Sequence, residues 1–173
     1  GPRAGEVQRR IGQHVAHFRG GANAAPTVNG QSVDAPMWSE KDQWVICYGD
    51  SIVDEGTPPL AVLDTFLQRY LGDTVSGVHV LPFFPWSSDD GFSVIHYREV
   101  NSELGAWSDV QTLASHYDLM ADLVLNHVSR ESLWFVDYLT GSLPGRDYFI
   151  EVEPATDVSQ VTRPRSSPLL VPI

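Results

Sequence analysis

Three short apolar runs, separated by segments with helical spacing, constrain this chain more than anything else in it. Residues 44–48, 75–81 and 119–128 read as strands. Between the first two, Leu60, Leu63, Phe66, Leu67 and Tyr70 share one face of a helix over 60–71, and between the second and third, 107–117 reads as another. A short helix over 131–139 follows. The fold class is therefore α/β, and the order β-α-β-α-β-α predicts parallel strands joined by right-handed crossovers. Before the first strand, Val7, Ile11, Val15 and Phe18 predict a helix over 5–18, and the Gly-, Ala-, Asn- and Pro-rich stretch 20–34 a flexible connection. Residues 82–105 form a long loop, and five prolines after Gly141 break any long element.

Two phrases stand at the ends of the second and third strands, SSDDGFSV at 87–94 and DLVLNHVS at 122–129. They deliver Asp89, Asp90, Phe92, Asn126 and His127 where parallel α/β sheets place their active sites, because loops leaving the C-terminal strand ends vary without unfolding the sheet. Taken alone, Asp-Asp-Gly is a solvated turn, Phe92 a core aromatic and His127 a structural histidine. Asp122 and Asn126, at i and i+4, share one face of the predicted third strand. Both are assigned a structural hydrogen-bonding role, since no cluster of oxygen ligands surrounds them.

Longer stretches carry a resemblance. LPFFPWSSDDGFSVIHY at 81–97 and LMADLVLNHVS at 119–129 resemble the sucrose phosphorylase branch of the α-amylase family, glycoside hydrolase family 13. WSEKDQWVICYGDSI at 38–52 is similar to its first barrel strand, ELGAW at 103–107 to a helix start, and VTRPRSSPLL at 161–170 to its domain B loop. The resemblance implies the N-terminal part of a (β/α)8 TIM barrel, about three β/α units, with the start of an irregular domain B. The implied domains are a helix and linker at 1–37, a partial barrel at 38–140 and the start of domain B at 141–173.

Retaining glucosyl transfer needs a carboxylate nucleophile, a carboxylic acid facing it, and groups that fix the ring as positive charge develops. In the family, nucleophile and acid/base come from later barrel strands, and the resemblance stops short of them, so no catalytic residue is assigned and the chain alone is expected to be inactive. What remains is the implied sugar-holding half. Asp89 would accept hydrogen bonds from glucose hydroxyls, Phe92 would cover the ring, and His127 would donate to a hydroxyl. Arg165, in TRPR beside Arg163, would reach the acceptor side, where guanidinium suits phosphate. His96 stands where the family usually has a supporting Asp, which changes charge and shape beside Asp89. The implied partners are an α-glucoside such as sucrose, and phosphate. No cofactor and no metal are expected, and three strands of an eight-stranded barrel leave an open edge for self-association.

Composition excludes other classes. A net charge of −11 argues against a nucleic-acid partner; the four arginines against one acid in residues 1–20 read as a peripheral helix. The single cysteine, Cys47, allows no internal disulfide and reads as a buried thiol, and no apolar run approaches the ~20 residues that cross a bilayer. These point to the cytoplasm. Two other readings exist: a non-catalytic sugar-binding or structural fragment, and an esterase, because VICYGDSIVDEG at 45–56 resembles the first block of the GDSL esterases, with Ser51 as nucleophile. The later Asp-x-x-His block of that family is missing.

Overall fold

The structure is a computed structural model that describes residues 2–20, 39–162 and 169–170. Helix α1 spans Pro2–Gly20, longer than expected at both ends, and the predicted connection after it lies outside the described residues. Strand β1 is Trp44–Cys47, α2 Pro59–Tyr70, β2 Gly77–Val80, α3 Trp107–His116, β3 Asp118–Ala121 and α4 Leu133–Thr140. The three strands form one sheet in the order β1-β2-β3, parallel throughout.

Register separates the two faces of this sheet. Val45, Val78 and Leu119 lie side by side, as do Cys47, Val80 and Ala121, and this face packs on the helices. Val78 is fully buried, among Leu60, Leu63 and Leu67 of α2 and Val110 and Leu113 of α3. Leu60, Leu63 and Leu67 follow the i, i+3, i+7 spacing of one helical face. On the other face, Ile46, His79 and Met120 form one row, and Ile46 remains 65% exposed. Trp44 lies over Gly77 there, so close that a Cβ at 77 would meet the indole at 2.5 Å.

Polar groups hold the helices in place. Pro59 sits at the first position of α2, where its missing N–H costs no hydrogen bond. Asp109 accepts from Ala106 N–H at 2.8 Å at the start of α3. Ser132 caps α4 by accepting from Trp134 N–H, and Gly141 ends it at φ +69° with its N–H on the last carbonyls. Between α2 and α3, the buried Asp64 carboxylate accepts from Gln68 at 2.7 Å and from His116 Nδ1 at 2.9 Å.

The third strand departs from the sequence reading. It ends at Ala121 rather than running to 128, although Leu123 and Leu125 continue the apolar run. Its neighbour β2 stops at Val80, and Pro82 has no N–H to extend the ladder. Beyond Ala121 the segment therefore has no strand beside it, and the same-face argument for Asp122 and Asn126 lapses. The last helix is likewise shifted, to Leu133–Thr140. No described helix is long and apolar enough to cross a membrane.

Cys47 is half-buried against the core, and burial pushes its thiol pKa up. The thiolate is the reactive form, so a raised pKa reduces its fraction at any pH below that value. Alkylation by iodoacetamide at pH 8 is expected to be slow in the folded chain and to accelerate in urea. Equal rates in both states would contradict this packing.

Candidate functional site

Two loops leave the C-terminal ends of β2 and β3, and each holds the other. At their roots, His79 Nε2 donates to Asp122 Oδ2 at 2.9 Å. Further out, the Tyr97 hydroxyl donates to Val124 O at 2.6 Å and lies 3.2 Å from His127 O. Ser87 and Ser129 share a hydroxyl hydrogen bond of 2.6 Å, and Ser129 N–H donates to Val94 O. At the tip, His127 Nε2 lies 2.9 Å from Phe92 O. A carbonyl only accepts, so Nε2 carries the proton.

That last contact changes what His127 offers a ligand. With its Nε2–H engaged, the neutral ring presents Nδ1 as an acceptor, and donation to a sugar hydroxyl requires the imidazolium. Phe92 and His127 are thus brought together, His127 exposed and Phe92 half-buried.

Asp89 and Asp90 stand on a short 3-10 turn, Asp89–Gly91, inside the first loop. Both have left-handed backbones, at φ +58° and +49°, a conformation that costs a non-glycine residue about 1–2 kcal/mol. Aspartate tolerates it better than most residues. Both are exposed, and among the described residues neither carboxylate has a hydrogen-bond or ion-pair partner. Backbone outliers of this kind cluster in loops that bind or clamp ligands, which makes the turn a candidate. Gly91 makes the turn possible: it is buried at φ +100°, and a Cβ there would sit 2.7 Å from Pro82 O.

The remaining sequence candidates fall elsewhere. His96 lines a separate concavity of about 190 Å³ with Tyr97, Arg98, Ser132, Trp134 and Pro144, and none of Asp89, Phe92 and His127 contributes to it. Its Nδ1 is shut off from solvent without a hydrogen bond, 3.6 Å from Glu99. Asn126 is exposed and makes no side-chain hydrogen bond among the described residues. Arg163 and Arg165 lie outside the described residues. Ser51 accepts from Tyr48 N–H at 3.0 Å, which closes the turn after β1, and among the described residues no histidine hydrogen-bonds its hydroxyl.

His79 and Tyr97 were not singled out in the sequence. A signal for His79 existed: it is the polar residue in the apolar strand Gly77–Val80, and its parity puts it on the face away from the helices. Tyr97 carries no comparable mark, because its partners are backbone carbonyls. If the loop geometry depends on Gly91, then Gly91→Ala is expected to lower stability by about 1–3 kcal/mol in urea unfolding. It should also disturb the NMR signals of Phe92 and His127. A variant with unchanged stability and signals would show that the turn is not held this way.

The family described as alpha amylase, catalytic domain, matches over residues 68–167. A glucosylglycerate phosphorylase of Allomeiothermus silvanus is 52% identical over 78% of this chain and 24% of its own length. A sucrose phosphorylase of Streptococcus mutans is 45% identical over 54% of this chain and 19% of its own. The sucrose 6F-phosphate phosphorylase of Thermoanaerobacter thermosaccharolyticum, a solved structure, superimposes with a TM-score of 0.53 at 40% identity, over 60% of this chain and 20% of that one. The chain thus spans less than a quarter of the length of the curated relatives it matches. Parallel strands joined by helices, loops converging at their C-terminal ends and these matches make one case: the chain belongs to the α-amylase family, on its sucrose phosphorylase-like branch.

Proposed function

We propose that residues 81–129 build the glucose-holding wall of an α-glucoside phosphorylase, and that glucosylglycerate is its substrate. The observation that carries this reading is the exposed Asp89 carboxylate, without a partner among the described residues, on a loop tied to His127. A carboxylate forms strong charge-assisted hydrogen bonds to sugar hydroxyls. The ring of Phe92 supplies an apolar surface for the C–H face of the sugar, and His127 Nδ1 accepts from a further hydroxyl. Identity favours the glycerate acceptor: 52% to a glucosylglycerate phosphorylase against 45% to a sucrose phosphorylase. Arg165 would meet the anionic acceptor or phosphate through its guanidinium fork.

In a retaining mechanism, a carboxylate displaces the leaving oxygen while an acid protonates it, and phosphate then takes the glucosyl unit from the covalent intermediate. Asp89 in this reading binds and orients, and does not attack. The 173-residue chain on its own has no residue assigned to either reacting role. We expect the chain alone to hold a glucoside without turning it over, to work in the cytoplasm, and to self-associate through the open edge that three barrel strands leave.

The test is phosphorolysis by the purified chain with sucrose, sucrose 6-phosphate and glucosylglycerate, beside calorimetric binding of glucosylglycerate. The expected result is no glucose 1-phosphate from any donor, weak binding that Asp89→Ala abolishes, and concentration-dependent sedimentation. Release of glucose 1-phosphate would overturn the assigned roles, and binding indifferent to Asp89→Ala would overturn the site.

A further inference from the structure

We propose that the Tyr97 hydroxyl is a positioning group for His127 and so sets how tightly the wall takes a glucosyl unit, an inference that rests on the reading of Asp89, Phe92 and His127 given above. Tyr97 belongs to the loop after β2, yet its hydroxyl acts on the loop after β3. It donates to Val124 O at 2.6 Å, with His127 O as a second, longer acceptor at 3.2 Å. Both carbonyls lie beyond Ala121, where the parallel ladder has ended and no strand supplies N–H donors. The hydroxyl stands in for the missing ladder bond.

His127 is exposed, so packing contributes little to its orientation. Two hydrogen bonds from the β2 loop define it: Phe92 O holds the ring at Nε2, and Tyr97 holds the backbone. Release of the backbone would let the ring bond lengthen, and Nδ1 would lose its fixed direction toward a ligand. The donor itself is well anchored. The Tyr97 ring stacks on Trp134 at 5.2 Å and 15°, and packs against Phe84 at 5.8 Å. Burial raises the hydroxyl pKa, which keeps it a donor through and above neutral pH.

Tyr97→Phe in the full 173-residue chain keeps the ring contacts and removes only the hydroxyl. The expected result is a shift of the His127 ring 15N signals toward those of a solvated histidine, and a loss of about threefold to tenfold in affinity for glucosylglycerate, the worth of one hydrogen bond. Gln68→Ala loosens the α2–α3 clasp without touching either loop, and should leave both readouts unmoved. Unchanged His127 signals in Tyr97→Phe, or an equal loss of affinity in Gln68→Ala, would overturn the proposal. The ring signals are read without ligand, so a wild-type chain that takes up no glucoside would sink the reading of the wall while the positioning is still decided. If Tyr97→Phe does not fold, the unmodified chain decides: nuclear Overhauser contacts between the Tyr97 ring and residues 124–127 support the proposal, and their absence overturns it.

Discussion

The parallel ladder ends at Val80 and Ala121, and what lies beyond depends on that ending. Leu81 N–H still donates to Cys47 O at 2.9 Å, but Pro82 has no N–H to continue. The chain on both strands then leaves the sheet, and its backbone groups need partners other than the ladder, such as Asn101 N–H on Phe83 O and Ser129 N–H on Val94 O. Side chains take over the role of the ladder. His79 meets Asp122 at the roots, Tyr97 bonds the carbonyls of the middle, and Ser87 and Ser129 close the outer part. Two adjacent loops thereby become one surface.

That surface is open rather than enclosed. Asp89 and His127 are exposed beyond the strand ends and Phe92 is half-buried against the core, whereas the concavity of about 190 Å³ lies beside His96 and the start of α4. Paired left-handed aspartates, whose carboxylates have no partner among the described residues, carry an energetic cost, and the rest of the loop offsets it through the buried Gly91 and the bridge between Trp86 and Val94.

Much of this was legible in the residues, for identifiable reasons. The β-α-β-α-β order followed from periodicity, since Leu60, Leu63 and Leu67 leave α2 only one way to face the sheet. The length of β3 was misread because Leu123 and Leu125 look like strand residues; their apolar character carries no information about whether a neighbouring strand is still present. The hydrogen bond of His127 Nε2 to the backbone carbonyl of Phe92 is one that no side-chain pattern reveals. Tyr97 was hidden for the same reason. His79 was visible in principle, from parity alone.

The central claim is that the two loops form one sugar-facing surface. It is tested most directly by mapping NMR chemical-shift changes across the chain as glucosylglycerate is added. The account predicts changes concentrated at Asp89 to Phe92 and at His127, with Tyr97 and Val124 following. Changes confined to His96, Arg98 and Trp134 would contradict it, because the ligand would then occupy the concavity beside α4 and the loop surface would be scaffold alone.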